Sequence, residues 1–493
     1  MPQVRIGADT GGTFTDILLD PGDGGPLLRH KLPSTPGDPS RAVRQGVDAV
    51  LGQLRAADNS ERMVIHGSTV ATNALLEGKG ARAAFVTTAG FEDIVFLARQ
   101  NRPELYQLEV RKPDPPLDPA DCHGLRERIG ADGSVLEPLA KSDIEELLVR
   151  LGESGVKACC ICLLHSYANP QHEQAVAEAI RGQLPDLHLT VSSELLPEFR
   201  EYERAATCLA NAVVGPVMDG YIARLSRGLK GDQLRIMASN GGSLPVETVL
   251  RAPVQTILSG PAGGVRGAML SAGADEVSRF IAFDMGGTST DVSLCDGTVG
   301  LTTEFTCAGL PVRLPVADIH TVGAGGGSVA WLDRGGALHV GPQSVGADPG
   351  PACYGRQSGG LTPTVTDAHV VLGHIPPWLR LAGSLELDVD AAHQAVSRLA
   401  GQCGLSLHDA AEGILRVAEV NMGRAIKRIS VERGHDVREF ALLPFGGAGG
   451  LHAARLAAQV GIGSILVPAD PGLLSALGML AAGPLYNFSR TTM

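Results

Sequence analysis

The sequence predicts an α/β protein of two lobes, built from one structural unit used twice. Three observations carry that expectation. The chain has 493 residues, more than one ordinary hydrophobic core is made from, so two large lobes are expected. Strand-length apolar runs alternate with stretches of helical spacing, the pattern of layered α/β architecture. An octet of the form D-x-G-G-T-x-T-D runs from Asp9 to Asp16 and returns from Asp284 to Asp291, 275 positions on. Internal repetition of this kind means duplicated structure.

The elements follow in order. Residues 4–7 and 17–19 read as strands flanking a Gly/Thr turn, a hairpin with a glycine-rich tip. Val43, Val47, Leu51 and Leu54 recur at helical spacing from a Pro39 start. Residues 63–66 and 83–87 read as strands, with a helix through Leu76 that Ser68 or Thr69 could cap. A proline-rich loop is expected at 111–119 and a turn at 130–133. Helices at 144–151 and 172–184 bracket a strand at 158–164. That strand holds Cys159, Cys160 and Cys162, which lack the paired C-x-x-C spacing of a zinc site and read as small apolar residues.

The second half opens with a long helix around 202–225, then strands at 235–238 and 279–284. Ala411, Leu415, Ala418, Met422, Ile426 and Ile429 mark one face of a long helix stopped by Gly434. A strand at 440–444, a glycine loop, a helix at 451–461, a strand at 464–467 and a last apolar helix complete the chain.

Composition excludes several functions. With 63 glycines and 31 prolines but 44% hydrophobic residues, the glycines serve turns and close approaches in a folded protein rather than disorder. Aromatics at 4% poorly supply a stacking surface for nucleic acid, and a net charge of −12 opposes a phosphate-backbone binder. The amino terminus lacks a basic segment followed by an apolar core, and residues 473–482 are about half the ~20 needed to cross a bilayer. A cytoplasmic protein with reduced thiols is expected.

The repeated hairpin suits phosphate chemistry. Adjacent glycines let backbone N–H groups close around phosphate oxygens without a Cβ in the way. The candidates are Gly11, Gly12, Gly286 and Gly287, with Thr13, Thr15, Thr288 and Ser289 adding hydroxyl donors. Asp9 and Asp284 close the leading strands, where a carboxylate can hold Mg²⁺ or orient a nucleophile. Two such hairpins facing across a central cleft would grip a triphosphate from both sides. The run from Pro444 to His452 joins a strand to a helix, and its Gly446, Gly447 and Gly449 are candidates for the nucleoside side of ATP.

The order of these motifs resembles the actin, sugar-kinase and chaperone ATPase superfamily, which implies a duplicated ribonuclease-H-like fold. More specifically, the chain resembles the hydantoinase A/5-oxoprolinase family. The resemblance rests on GADTGGTFTDI, IHGSTVATNALLEGKGA, LLHSYANPQHE, SELLPEFREYERAATCLANAVVGP, ILSGPAGGV, FDMGGTSTDVSL, DIHTVGAGGGSVAW, VGADPGPACYG, PTVTDAHVVLG and FGGAGGLHAARLA. It implies ATP-dependent opening of a cyclic amide such as 5-oxoproline or a hydantoin, or ATP-dependent carboxylation of a ketone. It also implies Mg²⁺ and a second, hydantoinase B-type subunit. The expected division is an N-terminal lobe over 1–195 and a second lobe over 196–493, without the further C-terminal domain of longer members. Gly450 stands where the family usually has proline.

Other residues admit two readings. Asp318, His320, Asp348 and Cys353 flank glycine-rich runs and could wall a substrate site, with His320 a proton carrier, or serve only the turns. His66 follows a strand and precedes a helix, where sites gather in α/β sheets, yet is equally read as a buried structural histidine. Arg200, Glu201, Tyr202 and Arg204 read as a solvated helix start or a cleft contact. Residues 259–264 open a helix that could offer N–H groups to an anion, or form a tight turn. A non-catalytic actin- or chaperone-like ATP-binding module is the alternative from another functional class.

Overall fold

The computed structural model describes residues 4–35, 37–54, 61–101, 106, 113–229, 231–355, 361–381 and 385–491. Its α/β architecture begins with β1 (Val4–Thr10), β2 (Phe14–Asp20) and β3 (Leu28–Pro33), an antiparallel meander. Helix α1 (Pro39–Leu51) buries Val43, Val47 and Val50, the stripe read from the sequence, and leads to β4 (Arg62–Ser68), parallel to β1. The chain then leaves the sheet for an inserted, all-parallel layer. Its strands are β5 (Ala83–Thr88), β6 (Cys122–Leu125), β7 (Ala158–Cys162) and β8 (His188–Val191), in spatial order β8-β7-β5-β6. Every residue of β7 is buried, so its cysteines do serve as small core residues. The proline-rich loop expected at 111–119 is described only from residue 113.

Helix α2 (Glu201–Gly228) joins that insertion to the first sheet and is buried on all sides from Glu203 to Gly215. Small residues permit this: a Cβ on Gly215 would lie 2.1 Å from His188 Nε2. Strands β9 (Gln233–Met237) and β10 (Ser243–Pro245) finish the first sheet, in spatial order β10-β9-β4-β1-β2-β3. The first sheet thus draws its last strands from well beyond residue 195.

The second sheet repeats the plan. After helix α3 (Ser259–Ala274) come β11 (Arg279–Met285), antiparallel β12 (Thr290–Asp296) and antiparallel β13 (Thr298–Val299). Strand β14 (His320–Val322) adds to β12. Helices α4 (Val365–Val371) and α5 (Val389–Cys403) lead to α6 (Leu407–Ile429), whose predicted face is buried throughout and whose start is capped by Ser406. Strand β15 (Ala441–Phe445) then lies parallel to β11, and helix α7 (Gly449–Val460) leads to β16 (Ser464–Ile465), parallel to β15. Both sheets therefore centre on a hairpin whose first strand has a parallel neighbour on its other side.

Two helices link the lobes. Helix α3 carries the chain from the first sheet to the second, and α8 (Leu474–Leu480) carries it back, so that Ser243 bonds Gly483 beside β10. They cross at backbone distance. A Cβ on Gly478 would lie 1.9 Å from Gly263 O, and one on Gly267 would lie 2.0 Å from Leu474 O. On its other side α8 rests on β1, where a Cβ on Gly7 would lie 2.2 Å from Ala476 O. Among the described residues no helix is long and apolar enough to cross a membrane.

Candidate active site between the repeated hairpins

The two octets fold alike, bond for bond. Asp9 pairs across the hairpin with Asp16 and Thr10 with Thr15; Asp284 pairs with Asp291 and Met285 with Thr290. The tips close with the same bond, Gly11 N–H to Phe14 O at 3.0 Å and Gly286 N–H to Ser289 O at 3.1 Å. A Cβ on Gly12 or Gly287 would meet nothing within 4 Å, so both tips open onto free space. Thr288 is exposed, and Thr13 and Ser289 are half-buried.

Thr15 is placed otherwise than as a phosphate donor. It is fully buried, its hydroxyl 3.0 Å from Ser34 Oγ, and Ser34 donates to Gly11 O at 2.8 Å. Its counterpart Thr290 donates to Ala324 O. Successive strand residues face opposite sides, so Thr15 and its neighbour Asp16 cannot both face the cleft. These threonines brace the hairpins from behind.

The carboxylates form one electrostatic group. Burial, then Asp16, pushes Asp9 up to about 7, against the opposing pull of Lys31 and a hydrogen bond from Ser475. Asp284 is raised well above the ordinary range by burial, then by Asp291, then by Asp9. The two hairpins, one from each lobe, thus bring Asp9 and Asp284 within electrostatic reach of each other. Burial also raises Asp16 and lifts Asp291 to about 6. The lobes differ in compensation: Lys31 Nζ stands 2.6 Å from Asp16, whereas among the described residues Asp291 is met by the Thr321 hydroxyl and no cation.

Around Asp9 the packing is close. Its Oδ1 lies 3.6 Å from where a Gly67 Cβ would be and 3.7 Å from that of Gly260, in the first turn of α3. Residues 259–264 do open that helix. Asp284 is crowded by the glycine loop: a Cβ on Gly446 would sit 2.3 Å from its Oδ1, and Gly446 takes φ +79°. Ala448 N–H bonds Met285 O at 3.0 Å, stitching this loop to the second hairpin. Gly449 is buried against Phe283, while Gly447 and Gly450 are exposed with open space around them.

Hard carboxylate oxygens on half-buried side chains, with Lys31 offsetting only Asp9 and Asp16, fit a divalent cation of the Mg²⁺ kind. Among the described residues no group of three or more His, Cys, Asp or Glu converges as a cage.

The remaining candidates lie apart. His66 is fully buried, with Nδ1 2.9 Å from Ala8 O and Nε2 2.5 Å from Tyr221 OH; burial pulls it down to about 4. Its register with Ala8, rather than Asp9, directs it to the opposite face from the cleft. Asp318 pairs with Arg433, and Cys353 is buried beneath Asp367, which accepts from its N–H at 2.8 Å. Asp348 is exposed in the turn ending at Gly350. His320 lines a separate cavity. Arg204, far from solvated, is 1% exposed, with Nη2 donating to Leu163 O at 2.6 Å. The glycines after His320 back the second hairpin: Gly326 N–H bonds Gly286 O at 3.0 Å and Gly327 N–H bonds Gly287 O at 2.6 Å.

The raised carboxyls set a pH dependence. The folded state tolerates protonated Asp9 and penalises its ionised form, so between the ordinary 3.8 and about 7 it binds more protons than the unfolded chain. That contribution to stability is lost as pH rises through the window. The melting temperature of the ligand-free protein is expected to fall more steeply from pH 5 to 7 than that of Asp9→Asn, measured by scanning calorimetry. Parallel profiles would remove Asp9 as the source.

Two family models match the chain. A family model described as Hydantoinase/oxoprolinase matches residues 204–487, and one for the Hydantoinase/oxoprolinase N-terminal region matches residues 5–184. The chain is 36% identical to caprolactamase subunit alpha of Pseudomonas jessenii, over 98% of this chain and 71% of that protein. It is 34% identical to 5-oxoprolinase 1 of Arabidopsis thaliana, over 97% of this chain but only 41% of that protein. Among solved structures, the ATP-dependent caprolactamase of Pseudomonas jessenii superposes with TM-score 0.83 at 35% identity, covering 96% of this chain and 70% of that one. A nucleotide-free acetone carboxylase superposes with TM-score 0.84 at 26% identity, covering 98% and 71%. On two family models that together span most of its length, the chain belongs to the hydantoinase/oxoprolinase family.

Proposed function

We propose that this chain is the ATP-binding, ATP-cleaving subunit of an enzyme that opens a cyclic amide such as 5-oxoproline or a hydantoin, its lobes a duplicated ribonuclease-H-like pair of the actin type. The observation that supports this most is the meeting of Asp9 and Asp284, from two copies of one hairpin, in a single electrostatic group. A triphosphate fits between tips that leave Gly12 and Gly287 open, where backbone N–H groups and the Thr13, Thr288 and Ser289 hydroxyls can donate to it. The nucleoside would lie along the exposed side of the Gly446–Gly450 loop.

Asp9 and Asp284 would hold Mg²⁺, whose charge offsets both the crowded carboxylates and the developing phosphate charge. The hairpins align the γ-phosphate with the amide oxygen of the ring. That oxygen attacks phosphorus, the bond to the ADP oxygen breaks, and an O-phosphorylated imidate results. Water then adds to the activated carbon, and the adduct collapses with cleavage of the ring C–N bond, the nitrogen taking up a proton. The acyl phosphate so formed is hydrolysed by a second water, giving ADP, phosphate and the ring-opened amino or carbamoyl-amino acid. Alignment and charge neutralisation supply most of the acceleration in such a transfer.

A hydantoinase B-type subunit would complete the hydrolytic site; the caprolactamase relative is itself named as a subunit. Co-expression with such a partner is expected to give ring opening coupled to ADP release with 5-oxoproline, hydantoin or caprolactam. No lactam-dependent ADP release by the purified complex would overturn this reading. The likeness to acetone carboxylase supports a second reading, ATP-dependent ketone carboxylation. ADP release that requires both bicarbonate and a ketone would select it.

A further inference from the structure

We propose that the second lobe carries a binding site, separate from the nucleotide cleft, for a small planar molecule bearing one carboxylate. The site is a cavity of about 700 Å³ between β14 and α6, within the 300–1,000 Å³ range of small-molecule sites. It lies on the face of the second sheet away from α3 and α8, since Ile281, Phe283 and Val292 pack toward α6 while Phe280 and Ala282 pack toward α3.

The lining specifies the ligand. Trp331 and His339 stack on each other with ring centroids 4.8 Å apart and planes 22° from parallel, so that an outer face of the pair offers a flat surface. Both rings are fixed: the Trp331 indole N–H donates to Gly341 O at 3.0 Å, and His339 Nε2 stands 2.9 Å from Asp333. A flat ring can stack there without ordering a mobile partner. Arg424 and Arg428 stand one helical turn apart on α6, so both guanidiniums reach the same cavity. Among the described residues neither is in an ion pair, unlike the nearby Arg433, which Asp318 holds. Glu432 also lines the cavity. Two guanidiniums outnumber the one carboxylate that lines the cavity, which favours a small anion over a neutral molecule. Burial, Arg428 and Arg433 lower the His320 imidazole, which favours its neutral form, able to accept or donate a hydrogen bond.

The test needs neither ATP nor a partner subunit, so its outcome is independent of the proposed reaction. The chain has two tryptophans, Trp331 and Trp378, and Trp378→Phe leaves Trp331 as the only indole reporter. Benzoate is expected to change its fluorescence saturably, while benzamide, the uncharged isostere, is expected to bind at least tenfold more weakly. Arg424→Ala with Arg428→Ala should abolish saturation. Both side chains are exposed, so this variant should melt with the parent. Glu432→Gln provides a gain-of-function control: benzoate affinity should rise three- to tenfold. Non-saturating quenching, equal binding of benzamide, or affinity unmoved by all three substitutions would overturn the proposal.

Discussion

Asp284→Asn is expected to lower ATP turnover by at least about a hundredfold while raising the melting temperature of the ligand-free protein by roughly 2–4 °C. Both effects have one cause. Asp284 is half-buried, desolvated and close in charge to Asp291 and Asp9, so its ionised form is costly until a cation and nucleotide arrive. Asparagine keeps the shape and removes the charge, which relieves the repulsion and also removes a ligand for the cation. The sign of the pH effect follows. A carboxyl raised by burial weakens the folded state as pH increases, so the advantage of the variant should widen from pH 5 to pH 8. Turnover is read from ADP release and stability from calorimetry on the same preparation. Near-normal turnover would remove Asp284 from the mechanism, and a lowered melting temperature would contradict the electrostatic account. Stability gained where function is lost is a common signature of a site arranged for a ligand rather than for the fold.

Gly478→Ala is expected to destabilise the protein by about 3 kcal/mol or more, beyond the usual surface substitution. The added Cβ would lie 1.9 Å from Gly263 O and 2.7 Å from Gly267 N, and both are backbone atoms that no rotamer change can clear. Helices α3 and α8 must therefore separate. Ser475, on α8, donates to Asp9, so the same movement should weaken nucleotide binding. Gly472→Ala is the control, since a Cβ there meets nothing within 4 Å. Equal melting temperatures for the two variants would show that the crossing can relax.

Much of this site was legible because its signal is local. The octet spells two strands and a tip, and strand periodicity alone sets Asp9 across from Asp16 once the hairpin is recognised. The α6 stripe was legible for the same reason, as seven-residue spacing fixes a helix face whatever it packs on. Periodicity also argues against Thr15 as a phosphate donor, because it neighbours Asp16 in one strand. It does the same for His66, which pairs with Ala8 while Gly67 pairs with Asp9. What stayed hidden depends on contacts distant in sequence. Nothing near Ser475 announces Asp9, and Lys31 becomes the counter-ion of Asp16 only when β3 pairs with β2. The joining of β9 to β4 places Gln233 beside Met63, a pairing that no local pattern specifies. Gly7, Gly263, Gly267 and Gly478 are ordinary glycines in sequence and become closest-approach points only in three dimensions.

The return of α8 to β1 bears on how the molecule is made. Gly7 of β1 is covered by a helix that is synthesised some 470 residues later. A nascent chain can complete the inserted parallel layer early, since its four strands lie within a continuous stretch. The first lobe must wait with an uncovered apolar strand until α8 has been made. Maturation of the first lobe is thereby coupled to synthesis of α8, and a chain cut before α8 is left with an open, aggregation-prone lobe.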